Sequence, residues 1–298
     1  MRTSLVIPAY NEEKGLPLVI EEYLDFVDEI IVVDDGSNDG TSEAAKRYTS
    51  TKVKLYNHKV NSGKVAALRT GVKHSTGDII IFTDADYTYP ARFVPALISK
   101  MDEGADLVLG SRFQDPENIK RLNRIGNQIF SFLSSYISCI KVSDSQTGLR
   151  AFRREMFERL DVNAKGLEFE TKMTVRAAKL GYRIAEVPIE YRERVGKSKL
   201  NPFKDGMKMF IALLSVASSE TSLLVKMVMV PSFIFILIGL ATGIVSIYEK
   251  ISSGILTHEY YPILTAFLIL IGVQLLSLGF VADYLTKKLD RIEERILK

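Results

Sequence analysis

The chain has 298 residues, 47% of them hydrophobic, and 39 Lys and Arg against 36 Asp and Glu give it a net charge of +3. That length allows one sizeable globular domain and a smaller addition, and the near balance of charge gives no general case for nucleic-acid binding. The single cysteine, Cys139, excludes an intrachain disulfide, and with His58, His74 and His258 scattered along the chain a zinc site is not expected.

Met1-Arg2-Thr3-Ser4 runs straight into an apolar stretch. The polar Asn11-Glu12-Glu13-Lys14 follows too early for a secretory h-region, so no signal peptide is expected. Short β-branched runs then alternate with helical periods. Strands are predicted at Leu5 to Ile7, Ile30 to Val33, Val53 to Tyr56, Ile79 to Phe82 and Leu107 to Leu109. Between them, helices are predicted at Leu16 to Phe26, Thr41 to Tyr48, Lys64 to Lys73 and Phe93 to Met101. This alternation predicts an α/β domain with a largely parallel sheet covered by helices. Continuous apolar strands fit burial on both faces.

Composition shifts after about Lys204. Met227 to Tyr248 and Tyr260 to Ala282 carry no charged residue. Each is long enough to cross a hydrocarbon core of ~30 Å at ~1.5 Å per residue. A pair of buried core helices is the competing reading, but core helices seldom stay uncharged so long. The short link from Glu249 to Glu259 makes the two spans a hairpin. Lys204, Lys208 and Lys226 precede it, and Lys287, Lys288, Arg291, Arg295 and Lys298 follow, against Lys250 alone in the link. The positive-inside bias therefore predicts a cytosolic main domain and tail on a cell or ER-type membrane. Met207, Phe210, Ile211 and Leu214, beside Lys204 and Lys208, read as an interfacial helix or as an amphipathic helix packed on the domain. The tail alternates charges at helical spacing and reads as a solvated helix or a homo-oligomer contact.

Ligands of open α/β sheets bind beyond the carboxyl ends of the strands, and there the chain places carboxylates. The second strand ends in Asp34-Asp35-Gly36-Ser37 and the fourth in Asp84-Ala85-Asp86. Neighbouring carboxylates repel unless a cation lies between them. Hard oxygen ligands at one point suit Mg²⁺ or Mn²⁺ carrying a diphosphate. An isolated triplet of this kind is usually a surface turn; its place after the apolar run Ile79 to Thr83 favours the metal reading. Asn61-Ser62-Gly63-Lys64-Val65 lacks the earlier Gly and the following Ser or Thr of a Walker loop, and no G-x-G-x-x-G follows the first strand.

Pro8-Ala9-Tyr10-Asn11-Glu12, Val33 to Thr41, Asn61-Ser62-Gly63-Lys64, Asp84-Ala85-Asp86, Gly110-Ser111-Arg112, Ser145 to Arg150 and Gly196 to Leu200 together resemble the inverting glycosyltransferases of family 2, with their GT-A fold. The set is similar to the dolichyl- and polyprenyl-phosphate mannose or glucose synthases. The two-span C-terminus resembles that of the bacterial-type polyprenyl-phosphate glucosyltransferases and their archaeal relatives. The resemblance implies a GT-A domain over 1–200; composition and charge add an interfacial helix over 201–222, two transmembrane helices within 223–285 (about 224–248 and 260–284) and a cytosolic tail over 286–298 as expectations. It implies that Pro8, Ala9, Tyr10, Glu12, Val33, Asp35, Lys64, Asp84, Ala85, Asp86, Arg112 and Glu168 bind the nucleotide sugar, GDP-mannose or UDP-glucose. Asp84 and Asp86 would hold the metal, with Asp86 the more direct ligand. Some lipid-phosphate mannosyltransferases carry a Gln two residues after the second Asp, where this chain has Thr88. The Q-x-x-R-W motif of processive synthases is absent, since the chain has no tryptophan.

A sugar hydroxyl needs a general base to attack. A phosphate monoester, with second pKa ≈ 6, is already mostly ionised at neutral pH and needs cationic positioning instead. Arg112, Arg124, Arg192, Arg194, Lys197 and Lys199 are the basic candidates, with Ser198 between the last two. The resemblance puts Arg112 and the segment from Arg194 to Lys199 beside the donor and acceptor phosphates. The catalytic set is then Asp84, Asp86, Arg112 and Arg194. Glu168 and Glu170 are candidates for sugar hydroxyls, and Asp144 for orienting the loop from Gln146 to Arg150. A polyprenyl tail costs ~0.8 kcal/mol per CH₂ to expose, so an enzyme acting on its headgroup must come to the bilayer. Two other readings stay open: a tethered transferase acting on a saccharide or lipid hydroxyl, with Glu168 or Asp144 as base, and a non-catalytic sugar-nucleotide-binding scaffold.

Overall fold

The computed structural model describes residues 1–112, 121–138, 140–160, 166, 168–196 and 223–296. The chain divides into two compact units, Met1–Leu214 and Ser215–Lys298. The expected interfacial helix over 201–222, with Ser198 and Lys199, lies outside the described residues.

The first unit is built on a seven-stranded sheet: β1 (Thr3–Ala9), β2 (Glu29–Asp34), β3 (Val53–Asn57), β4 (Ile79–Phe82), β5 (Leu107–Ser111), β6 (Arg150–Arg153) and β7 (Ile184–Pro188). Their order is β3-β2-β1-β4-β6-β5-β7. β1 pairs in parallel with β2 and β4, and β2 with β3. Every residue of β2 and β4 is buried, as central strands covered on both faces require.

The predicted parallel sheet is interrupted at one place. β6 runs antiparallel between β4 and β5, pairing with both, while β5 pairs in parallel with β7. The four residues Arg150-Ala151-Phe152-Arg153 carry too little periodicity to announce a central strand.

Helices α1 (Gly15–Tyr23), α2 (Thr41–Lys46), α3 (Lys64–His74), α4 (Val94–Asp102), α5 (Arg121–Ser138), α6 (Arg154–Leu160) and α7 (Glu168–Lys179) accompany the sheet. α1 buries Leu16, Val19, Ile20 and Tyr23, one face at helical spacing. Chain direction across the sheet reverses at β1, since β2 lies on one side of it and β4 on the other. The loops after β1, β2 and β4 therefore meet at one crevice.

The second unit is a helical hairpin, α8 (Leu223–Ser253) and α9 (Tyr261–Ile296). Within it, Val228–Ser253 and Tyr261–Thr286 are each long and apolar enough to cross a membrane. Their large side chains face outward: Leu237 is 63% exposed and Ile263 75%. Core helices of a soluble protein would hide them. The helices meet through small residues, with Gly239 against Ile269, Gly243 against Thr265 and Gly272 against the Ser232 carbonyl. Thr242 Oγ1 and Thr265 Oγ1 share a hydrogen bond of 2.8 Å across the pair. The charged tail is no separate element: α9 continues past the apolar span to Ile296.

Candidate active site

The loop after β1 and the acidic loop after β2 are knitted together by their own side chains. Asp34 Oδ1 accepts the Ser37 N–H and hydroxyl at 3.0 and 2.5 Å. Asn11 N–H donates to Ser37 Oγ, and Asn11 Oδ1 accepts Asn38 N–H. Asn11 has φ +52°, a conformation its short polar side chain tolerates. Asp35 is buried and accepts the Gly63 and Ser62 N–H groups at 2.7 and 3.0 Å, with His58 Nδ1 at 2.6 Å. Its carboxylate thus ties the loop ahead of α3 to β2. That loop delivers Lys64, the first residue of α3.

The turn after β4 carries the aspartate pair. Tyr87 follows it at φ +67°, a left-handed conformation that costs a bulky residue ~1–3 kcal/mol and persists where surroundings impose it. Here Arg192 lies 4.7 Å above the Tyr87 ring, Arg192 N–H bonds the Thr88 carbonyl and Val195 N–H bonds the Asp86 carbonyl. Two glycines let backbone close on the turn. A Cβ on Gly15 would lie 2.5 Å from the Ala85 carbonyl oxygen, and one on Gly148 would lie 2.5 Å from Asp84 Oδ2.

Each aspartate meets a cation, and each cation also meets a glutamate. Lys64 Nζ lies 2.7 Å from Asp84 Oδ1 and 2.8 Å from Glu170 Oε1. Arg194 lies 3.2 Å from Asp86 Oδ2 and also pairs with Glu12. Burial works to raise the Asp84 pKa, but the Lys64 ammonium outweighs it and holds the group below the usual carboxylate range. Burial and then the neighbouring Asp84 charge push Asp86 up. Burial works against the Lys64 charge, but Asp84 and Glu170 more than reverse this and keep it an ammonium. Thr88 is not a free third ligand. Its N–H and hydroxyl donate to Asp86 Oδ1 at 3.2 and 2.6 Å, leaving Oδ2 toward Arg194.

The remaining expected residues are placed as follows. Arg112 is buried, forks onto Asp144 and lies 5.3 Å above Tyr191. Arg192 forks onto Glu22 at 2.8 and 3.0 Å. Arg124 is exposed on α5. Pro8 and Ala9 close β1, Tyr10 follows half-buried, and Val33 is fully buried in β2. Glu168 opens α7, half-buried. The residues brought directly together are thus Glu12, Lys64, Asp84, Asp86 and Arg194, with Glu170 joining through Lys64.

Sequence reading assigned no role to Arg150, Tyr89 or His58. Arg150 is 1% exposed and donates to the carbonyls of Ser145, Thr147 and Glu170 and to Thr174 Oγ1. Burial lowers its pKa to about 10. It fastens the loop before β6 to the first turn of α7. Tyr89 Oη accepts Gly148 N–H at 2.8 Å and so holds that loop to the aspartate turn. The one visible signal was the place of Arg150 at the end of the Ser145 to Arg150 motif.

The donor set fits a hard divalent cation. Mg²⁺ and Mn²⁺ take one or two carboxylates and leave the other positions to water and substrate phosphates. No cluster of three or more His, Cys, Asp or Glu side chains suited to a metal occurs among the described residues, so Asp84 and Asp86 are the candidate side-chain ligands.

Residues 4–161 match the family model described as Glycosyl transferase family 2. The chain is 33% identical over 308 residues to a protein named Glycosyltransferase AglJ from Haloferax volcanii, with 97% of each chain covered. It is 34% identical to a Dolichyl-phosphate hexose transferase of the same organism, over 73% of this chain and 94% of that one. It is 31% identical to a Polyprenol monophosphomannose synthase of Mycolicibacterium smegmatis, over 67% of this chain and 81% of that one. Among solved structures, glucosyl-3-phosphoglycerate synthase from Mycobacterium tuberculosis, in complex with Mn²⁺, UDP-glucose and phosphoglyceric acid, matches with a TM-score of 0.59 at 25% identity, over 73% of this chain and 80% of that one.

Proposed function

Because the chain belongs to glycosyl transferase family 2, we propose that it transfers a hexosyl group, with inversion, from a nucleotide sugar to a polyprenyl or dolichyl phosphate at a membrane. The observation that carries this reading is the aspartate turn at the carboxyl end of β4, flanked by Lys64 and Arg194. That arrangement has the charges needed to seat a diphosphate and the carboxylates needed for a divalent cation. The names of two relatives, a dolichyl-phosphate hexose transferase and a polyprenol monophosphomannose synthase, support the lipid-phosphate acceptor. The outward-facing apolar hairpin supports a bilayer location, and the lysine and arginine bias around it supports a cytosolic catalytic unit.

The chain's own residues would act by placement. Lys64 and Arg194 stabilise charge that develops on the leaving diphosphate. Mg²⁺ or Mn²⁺ would be held by Asp84 and Asp86 and would supply Lewis-acid stabilisation of the leaving diphosphate. The acceptor oxygen, already ionised, attacks the anomeric carbon in line as the sugar–phosphate bond breaks, and no residue need remove a proton. Of the two base candidates for a hydroxyl acceptor, Asp144 and Glu168, Asp144 is fully buried and paired with Arg112, which counts against that role for it.

The test is incubation of the protein in membranes with radiolabelled GDP-mannose or UDP-glucose, polyprenyl phosphate and Mg²⁺ or Mn²⁺. Label entering the lipid phase from one donor is expected. No label in lipid from any common nucleotide sugar would overturn the reading.

A further inference from the structure

The two aspartates are countered in the same way. Lys64 lies between Asp84 and Glu170, and Arg194 between Asp86 and Glu12. In each case a single cation is shared between one member of the metal-binding pair and a glutamate behind it. Both glutamates are fastened by the backbone. The Glu170 carbonyl accepts Arg150 Nη1 at 2.7 Å, and Glu12 N–H donates to Thr41 Oγ1 at 2.8 Å. Arg194 Nε is buried and makes no hydrogen bond among the described residues, so this guanidinium has a donor in hand for a further acceptor.

Resting on the sugar-transfer reading above, we propose that Glu170 and Glu12 are positioning residues that keep Lys64 and Arg194 seated on the aspartate pair, so that a divalent cation binds together with the donor's diphosphate rather than ahead of it. A metal arriving alone must displace an ammonium and a guanidinium from the oxygens it needs, and then sits beside both positive charges. A diphosphate arriving with it gives each displaced cation a new anionic partner. Lys64 and Arg194 stay within reach because their glutamate contacts remain. The coupling is reciprocal: the diphosphate tightens the metal by the factor by which the metal tightens the diphosphate.

The test measures binding and needs no acceptor lipid. Full-length protein in detergent micelles is titrated with Mn²⁺ alone, followed by the Mn²⁺ paramagnetic resonance signal, and with UDP or GDP in the presence and absence of Mn²⁺. In the wild type, Mn²⁺ is expected to tighten UDP or GDP by about tenfold or more, within the usual range of coupling between sites. Lys64→Met and Arg194→Met are each expected to bind Mn²⁺ alone several-fold more tightly and to lose most of that coupling. Glu170→Gln removes the contact that anchors Lys64 and is expected to tighten Mn²⁺ alone and to reduce that coupling. Tighter binding of Mn²⁺ alone sets this apart from a merely structural role, in which every variant would bind less. Mn²⁺ binding no tighter in Lys64→Met and Arg194→Met than in the wild type would overturn the proposal. If Lys64→Met does not fold, Arg194→Met decides, since its side chain is 27% exposed. Shifts of the expected sign in a protein that transfers no sugar to lipid would sink the function reading and leave this one standing.

Discussion

Arg112 and Asp144 form a two-pronged ion pair, Nε to Oδ2 at 2.7 Å and Nη2 to Oδ1 at 2.9 Å, with the Arg112 N–H also on Oδ2 at 3.1 Å. The Asp144 side chain is fully buried and that of Arg112 is 9% exposed. Arg112→Met would strand a buried carboxylate, which typically costs ~3–5 kcal/mol. We expect a loss of that size in denaturant unfolding followed by tyrosine fluorescence. Arg112→Lys keeps the charge without the fork, so its loss should be smaller. A variant that loses sugar transfer while keeping full stability would place Arg112 on a phosphate instead.

Asp86→Asn removes the charge from the carboxylate whose Oδ2 is the freer oxygen. Transfer should fall about 10²-fold or more, the usual effect of losing a group that stabilises developing charge. Chelation with EDTA should stop transfer in the wild type and Mg²⁺ or Mn²⁺ should restore it. Activity that survives exhaustive chelation would remove the metal assignment.

Gly15→Ala should be poorly tolerated even though alanine favours helix. The new Cβ would meet the Ala85 carbonyl oxygen, a backbone atom that cannot rotate away. Overpacking of this kind costs ~1–3 kcal/mol, and here it pushes directly on the aspartate turn. A fall in both melting temperature and Mn²⁺ affinity is expected; an unchanged melting temperature would mean that the loop yields freely.

At the other end of the sheet, Glu29 is a stability device sensitive to acid. Burial would raise its pKa, but the Ser4 hydroxyl, the Thr76 N–H and hydroxyl and the Lys54 ammonium outweigh burial and hold it at about 2, against an ordinary 4.5. The folded-state value lies below the unfolded one. Its stabilisation is therefore complete above pH 4.5 and drains away as pH falls toward 2. Glu29→Gln should lower stability at pH 7 by about 1–3 kcal/mol and flatten the acid limb between those values, as read by circular dichroism. An acid limb unchanged from the wild type would refute it.

Gly272→Val should pry the helical hairpin apart, because a Cβ there already meets the Ser232 carbonyl oxygen at 2.8 Å. Cysteines placed by Thr242→Cys and Thr265→Cys, where the hydroxyls now meet, should cross-link readily in the parent and slowly in the valine variant. Equal rates would show that the helices slide to accommodate the side chain.

Most of the architecture is local in origin and so was legible in the chain itself. Apolar runs such as Ile79 to Phe82 specify strands, and the face Leu16, Val19, Ile20, Tyr23 specifies a helix. Uncharged stretches of more than 20 residues specify the hairpin helices. The acidic strand ends were visible for the same reason, since neighbours in sequence remain neighbours at a turn. What the tertiary structure decided is which charges meet. Lys64 reaches Glu170 across 106 residues and Arg194 reaches Glu12 across 182, and no periodicity or spacing encodes such a pairing. The antiparallel insertion of β6, and the arginine fork that turned out to rest on Asp144, are of the same kind. Each depends on packing between distant segments, where burial removes water and leaves every charge to find a partner among the side chains that folding brings near it.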